Sequence, residues 1–442
     1  MQRLLLLLLT ILVVSCADFS ITEIDRTIDL RSSLAQVMLH FEIKSSSKAS
    51  THISLCVPEH ASIGTITVNK ENAQFDYTDH NGQRAVSIAI RSKLSSFSID
   101  VSYVSHIKDL GSPVPEEIQQ GGQQYIHLSL PTNVVQPYKV IKQTTTILAS
   151  SFYELGQLTS IDVSSARITL SNTAPSSISA PLSTVVLAPY PIVTASAHRR
   201  FRIEPFIGVL VKDSVDLTNS GSLLSGGFSR LDLSRRPGDA STAMTTIEYK
   251  LAPFANPKTI SYRDYIGNIS TSQYVQVNEQ DSRVALAPRY PLFGGWKFEF
   301  GLGYRLLGKA YNNMLLTKEA RVELVPSIEG VFFEDLTVEL VLPQFATVSG
   351  IHSTVNGVDC ESSGKVWSHF DLVGGHAVVC KLSNVTPSTF KGDLVVKFSY
   401  SSIFMLAKPL YILGLVVFGI VIYRACIWFA SLFSVKSKVK QQ

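Results

Sequence analysis

The sequence predicts a mainly β protein, with two tandem antiparallel β-sandwich-like domains followed by one transmembrane helix. Three observations carry this prediction. Runs such as Ala85-Val-Ser-Ile-Ala-Ile90, Ser98-Ile-Asp-Val-Ser-Tyr103, Arg321-Val-Glu-Leu-Val325 and Leu336-Thr-Val-Glu-Leu-Val-Leu342 are rich in β-branched residues with partial alternation. No long stretch before the last forty residues or so repeats its apolar positions with a helical period of about 3.6. From Pro409 to Phe433 the chain is apolar apart from Arg424 and a few small or aromatic residues.

That last stretch is long enough to cross a bilayer, whose apolar core of about 30 Å takes roughly 20 helical residues. Arg424 falls near its far end, where a guanidinium reaches the headgroups, and Tyr423 and Trp428 mark the same interface. At the other terminus Arg3, the run Leu4 to Leu9 and Ser15-Cys16-Ala17 read as a signal peptide over residues 1–17. The bulk of the chain is then lumenal, and Lys436, Lys438 and Lys440 are cytosolic, as the positive-inside rule requires.

A lumenal portion of this length suits two domains. The divisions expected are 18–200 and 201–402 for the two β domains, 403–433 for the membrane segment with its flanks, and 434–442 for a short tail. Asn81-Gly82 and Asn356-Gly357 lie between strand-like runs and supply the positive φ angles of tight hairpin turns. A faint duplication supports related domains. Ile28-Asp-Leu30 recurs as Val215-Asp-Leu217, Ile53-Ser-Leu-Cys-Val-Pro58 as Ile247-Glu-Tyr-Lys-Leu-Ala-Pro253, and Ser98–Tyr103 as Phe298–Tyr304.

The formal charge of +4 is mild and its basic residues are scattered, so no nucleic-acid partner is expected. Of five cysteines, Cys16 belongs to the signal and Cys426 to the membrane segment. Cys360 and Cys380 flank neighbouring strand-like runs in an oxidising compartment and are expected to form a disulfide, leaving Cys56 as a buried thiol. No Gly-x-Ser-x-Gly, His-Glu-x-x-His, P-loop or Asp-x-Asp pair occurs, so no catalytic residue, metal or cofactor is assigned. His376 reads as a strand-edge residue, and Asp264 with Arg263 as a structural ion pair in a loop. Asn268-Ile-Ser270 and Asn384-Val-Thr386 are N-glycosylation acceptors. Pro387 makes the second the poorer one. Lys438 and Lys440 occupy the spacing of a dilysine retrieval signal of the endoplasmic reticulum, though a stop-transfer flank is also lysine-rich.

Three blocks give the chain a resemblance to the ribophorin I family. They are Gly227-Phe-Ser-Arg-Leu-Asp232, Tyr262-Arg-Asp-Tyr-Ile-Gly-Asn-Ile-Ser-Thr-Ser272 and Pro288-Arg-Tyr-Pro-Leu-Phe-Gly-Gly-Trp-Lys297. The resemblance is strong from Phe201 to Tyr423 and weak but collinear before that. It implies a non-catalytic subunit of the oligosaccharyltransferase complex, which moves a preassembled glycan from dolichyl diphosphate to the Asn of Asn-x-Ser/Thr in nascent chains. The partners so implied are the other subunits, among them the polytopic one that carries the transfer chemistry, together with nascent polypeptides and the endoplasmic reticulum membrane. In this reading Arg263 and Asp264 pin a loop, Gly294 and Gly295 allow a turn or close backbone approach, and Trp296 packs beside them. Animal members carry a sizeable cytosolic domain after the span, whereas this sequence runs only about ten residues past it, so the resemblance leaves open any ribosome or translocon contact attributed to that domain. A cell-surface adhesion or receptor protein with two β-sandwich modules accounts for the topology equally well. It accounts for neither the Pro-Leu-Phe-Gly-Gly-Trp block nor the terminal lysines.

Overall fold

The computed structural model describes residues 19–439, apart from 46–51, 81–82, 91–94, 132, 156–160, 165, 174–180, 277–280, 307 and 356–357. The expected signal peptide, the two Asn-Gly turns and Lys440 therefore lie outside the described residues.

The first half contains β1 (Phe19–Asp29), β2 (Ala35–Ser45), β3 (His52–Cys56), β4 (Ser62–Val68), β5 (Phe75–His80), β6 (Gln83–Ala89) and β7 (Ser96–Ser105). It continues with β8 (Tyr125–Leu130), β9 (Lys139–Leu148), β10 (Phe152–Leu155), β11 (Ile161–Ser164), β12 (Arg167–Thr173) and β13 (Leu182–Leu187). The second half begins with β14 (Val193–Glu204), β15 (Gly208–Asn219), β16 (Ile247–Lys250), β17 (Ser261–Asp264), β18 (Ser272–Gln276), β19 (Ser282–Leu286) and β20 (Lys297–Arg305). It ends with β21 (Glu319–Glu323), β22 (Val331–Val341), β23 (Thr347–Ser353), β24 (Asp359–Val366), β25 (Gly375–Val385) and β26 (Asp393–Ser399). Very short strands extend some sheets, among them Glu117–Ile118, Leu223–Leu224 and Ser327–Ile328.

The two halves share one strand order. In the first, the large sheet runs β11-β12-β9-β1-β2-β7-β4, with smaller sheets β3-β6-β5 and β10-β13-β8. In the second, the large sheet runs β24-β25-β22-β14-β15-β20-β17, with smaller sheets β16-β19-β18 and β23-β26-β21. Each strand of the second half takes the place held thirteen numbers earlier. Two of the three sequence echoes fall on equivalent strands, β3 with β16 and β7 with β20. The third does not, because Ile28 lies on β1 and Val215 on β15.

The pairing is not wholly antiparallel. β1 runs parallel to β9, and β14 parallel to β22, because the chain makes a long excursion through other strands before each returns. β5 and β6 pair antiparallel. β23 pairs with β26 while β24 pairs with β25.

Alternation explains the strands. In β1 the residues Ile21, Ile24 and Ile28 are fully buried, with a bulge between Ile21 and Glu23 absorbing the break in period. Each such side chain contributes roughly 1.5–3 kcal/mol on burial. One apolar cluster draws on residues from Phe19 to Ile192 and a separate one on residues from Val193 to Phe398. The division expected at 200/201 falls inside β14, whose ladder with β15 runs unbroken from Val193 to Glu204.

The helices are few. Arg230–Arg235 forms α1, capped by Ser229, and Gly308–Thr317 forms α2, which the sequence did not reveal because it is only ten residues long. Ala407–Val439 forms α3. Ser402–Ala430 has a mean hydropathy of 2.3 and none of its apolar window is buried, as a lipid-facing segment requires. Its base is tied to the second half. Lys408 Nζ lies 2.9 Å from Asp371 and 3.3 Å from Glu204, and Phe404 stacks on Phe345 with centroids 4.8 Å apart.

Candidate functional site

The three blocks singled out in the sequence meet in one region of the second half. The first contact is an ion pair. Asp264, at the end of β17, accepts hydrogen bonds through Oδ1 from the backbone N–H of Ile266 at 3.0 Å and of Gly267 at 2.9 Å. Arg289 donates through Nε to the other oxygen and through a terminal nitrogen to Oδ1 at 3.1 Å. These bonds from Arg289 hold the Asp264 carboxyl below the usual carboxylate range. The expected partner was Arg263, but alternation along β17 turns that side chain to the exposed face, where it lines an open hollow with Lys212 and Arg305. The turn carried by this pair presents Tyr265, 82 % exposed, and Ile266, 59 % exposed, at its tip.

The second contact is a backbone seat. A Cβ on Gly294 would stand 1.9 Å from the carbonyl oxygen of Ser222, so only glycine allows that approach. Gly295 has φ of +79°. Its N–H donates to the Asn219 carbonyl at 2.8 Å, and the Asn219 N–H donates to the Trp296 carbonyl at 3.1 Å. Trp296 is half-buried among Phe228 at 5.9 Å and Phe293 at 5.6 Å between centroids, which brings in the remaining block. Such edge-on pairs contribute roughly 0.5–1.5 kcal/mol beyond burial.

This seat is where the first half docks. Gln124, between the first half's strands and almost fully buried, accepts from the Ser222 N–H at 2.7 Å and donates to the carbonyls of Ala188 and Tyr190. Gln120 and Ser229 exchange two hydrogen bonds, and Glu117–Ile118 pairs in parallel with Leu223–Leu224. Asn219, fully buried, donates to the carbonyls of Thr242 and Leu292 and accepts from the N–H of Ile192 and Gly221. Sequence reasoning missed Gln120, Gln124 and Asn219. Amides carry no local signature, and only their burial marks them.

The remaining expected sites are dispersed. Cys360 and Cys380 face each other on β24 and β25 and are joined by a disulfide. Cys56 is a buried thiol whose pKa burial pushes up. Asn268 is exposed beside the tip. Asn384 is half-buried with φ of +55°, and its partner Thr386 is fully buried. The Thr386 hydroxyl lies 2.7 Å from Thr389, which in turn lies 2.7 Å from Ser62 of the first half. Lys438 falls in α3. Among the described residues no group of three or more His, Cys, Asp or Glu could hold a metal ion.

A family model described as Ribophorin I matches residues 19–427. An Arabidopsis thaliana protein named dolichyl-diphosphooligosaccharide–protein glycosyltransferase subunit 1A is 26 % identical over 93 % of this chain and 71 % of its own length. Subunit 1 of Caenorhabditis elegans is 26 % identical over 88 % of this chain and 68 % of its own length. A second Arabidopsis thaliana protein, subunit 1B, is 29 % identical over 71 % and 67 %. Among solved structures, yeast LTA4 hydrolase overlaps 39 % of this chain and 29 % of its own with 12 % identity and a TM-score of 0.30, too slight a likeness to bear on the fold. With its blocks assembled in one place and its sequence matched almost from end to end, the chain belongs to the ribophorin I family.

Proposed function

We propose that this chain is a membrane-anchored, non-catalytic subunit of an oligosaccharyltransferase complex in the endoplasmic reticulum. The complex transfers a preassembled glycan from dolichyl diphosphate to Asn in Asn-x-Ser/Thr of nascent chains, and the transfer chemistry belongs to a separate polytopic subunit. One observation carries the reading, the family match over residues 19–427. In this reading residues 1–17 are a removed signal, the β halves are lumenal, α3 spans the membrane, and Lys438 and Lys440 serve retrieval from the cytosolic side. Asn268 and Asn384 are glycosylation acceptors.

The role is scaffolding and acceptor presentation. The Tyr265–Ile266 tip supports a docking surface on the second half, because two large exposed side chains are held out on a turn that an ion pair pins from behind. α3, uncovered by the rest of the chain, is suited to neighbouring helices of the polytopic subunit.

The test is a mild-detergent pull-down of the tagged chain, assayed for transfer from a lipid-linked oligosaccharide to an Asn-x-Thr peptide. Co-purification of a polytopic subunit with activity is the expected result. Recovery of a stable chain alone, together with labelling by surface biotinylation, would replace this reading with the cell-surface one. Tyr265→Ser with Ile266→Ser should lower recovery of the partner several-fold without altering the melt of the chain. Unchanged recovery would remove the docking role from the tip.

A further inference from the structure

The strand register makes the two halves comparable residue by residue. In the first, Ile28 pairs with Val37 and Val37 with Tyr103; in the second, Phe201 pairs with Val211 and Val211 with Tyr304. Two residues along, Arg26 pairs with Leu39 and Leu39 with Val101, while Arg199 pairs with Asp213 and Asp213 with Leu302. Arg26 and Arg199 are thus equivalent, and both are buried. Across the sandwich, Leu55 of β3 pairs with Val86 where Tyr249 of β16 pairs with Val284.

The second half supplies its arginine with a counter-charge. Arg199 Nε lies 3.5 Å from Asp213 Oδ1, an ion pair in which no Arg199 nitrogen makes a hydrogen bond, and the Tyr249 hydroxyl donates to Asp213 Oδ2. In the first half both partners are leucine. Arg26 is 5 % exposed, donates once to the Pro131 carbonyl at 2.9 Å, and leaves its Nε with no partner. No carboxylate among the described residues pairs with it. A buried guanidinium without an anion carries a large desolvation cost, and burial draws its pKa below the ordinary value.

Beside Arg26 the first half has a cavity of about 680 Å³, lined by Leu39, Cys56, Tyr103 and Arg84 and open at a rim that includes the exposed acids Glu59 and Asp79. Arg84 donates through one terminal nitrogen to the carbonyls of Glu59 and Ala61 at 2.7 and 3.1 Å and lies over the Tyr77 ring, so two guanidiniums line the cavity, and Arg26 is the buried one. We propose that this cavity binds a carboxylate-bearing ligand, whose carboxylate sits on Arg26 as Asp213 sits beside Arg199. The planar donor fork of arginine matches a carboxylate, and the low-dielectric wall strengthens the contact. The acidic rim selects against polyanions and leaves room for a ligand N–H or cation next to the carboxylate. The inference stands on the internal repeat and the cavity, independently of membership in any complex.

The experiment titrates the full chain in detergent by calorimetry with three probes. These are N-acetyl-glutamate amide, with a side-chain carboxylate, N-acetyl-alanine, with a terminal one, and N-acetyl-glutamine amide, a neutral isostere. At least one carboxylate should bind tenfold or more tightly than the neutral probe, and which one does so identifies the source of the carboxylate. Arg26→Met should abolish the preference. Leu39→Asp, which installs the second half's acid, should abolish it too, while Leu39→Asn retains it. Equal affinity for charged and neutral probes, absence of binding by all three, or a preference that survives in folded Leu39→Asp would overturn the proposal. The pair of substitutions at Leu39 separates charge from shape, and Arg26→Met decides the matter if neither folds.

Discussion

In the second half, a buried arginine is surrounded by an acid and a phenol; in the first, its register partner looks into a cavity past two leucines. Strand order is the same in both. The difference teaches that the fold of each half rests on the alternation of apolar side chains, and that the polar contents of the sandwich can change without disturbing it. The outer edges differ in the same spirit. β16 is closed by backbone pairing with Ser327–Ile328, whereas β3 is closed by side chains, with Gln136 bonded to both backbone groups of Cys56 and the Tyr138 hydroxyl on the Ser54 N–H.

The comparison breaks first at the buried ion pair. Asp213→Leu should destabilise the second half by about 3–5 kcal/mol in a thermal or denaturant melt, because Arg199 is left charged and alone. The double change Arg199→Met with Asp213→Leu should recover most of that loss. Arg26→Met in the first half should cost far less than Asp213→Leu, since no ion pair is broken. Equal losses at the two sites would mean that Arg26 has an internal partner after all.

A smaller effect concerns the contact between the halves. His106 is 2 % exposed beside Phe332, and burial, with the charge of Lys108 adding, pushes it down to about 4. The unfolded chain binds its proton near pH 6.5, so stability is intact above that value and falls as pH drops from 6.5 towards 4. The loss is at most about 3 kcal/mol. A His106→Gln variant should show a shallower decline over this window; an unchanged pH profile would place the sensitivity elsewhere.

Gly294→Ala should cost about 1–3 kcal/mol by forcing the Ser222 carbonyl away, and it should loosen the halves before it unfolds either. Proteolysis near residues 220–229 ahead of the main melt would be the sign. The smallest effect is expected at Asp264→Ala, which frees the tip. Cleavage at Tyr265 should accelerate while the main melt stays in place. A coincident drop of the melt would show that Arg289 and Asp264 support the core as well as the turn.

Much of this was legible in the residues. Alternation and β-branching marked the strands, and two echoes out of three found equivalent strands because hydrophobic pattern follows strand position. The apolar run after Pro409 marked the span, and the block that resembles the family marked Gly294-Gly295 as a turn or a close backbone approach. The disulfide between Cys360 and Cys380 was expected because they flank neighbouring strand-like runs, and the structure adds their register.

The sequence by itself therefore determined the strand-rich character, the membrane helix and the positions where backbone must come close, because each is written in local period and residue size. Only the tertiary structure decided that Asp264 answers to Arg289 instead of its neighbour, that Gln124 reaches Ser222, and that Arg199 has an acid while Arg26 has a cavity. Those pairings join residues far apart in the chain. They depend on strand register, where a shift of one residue turns every side chain to the opposite face, and no local pattern encodes which distant groups then meet.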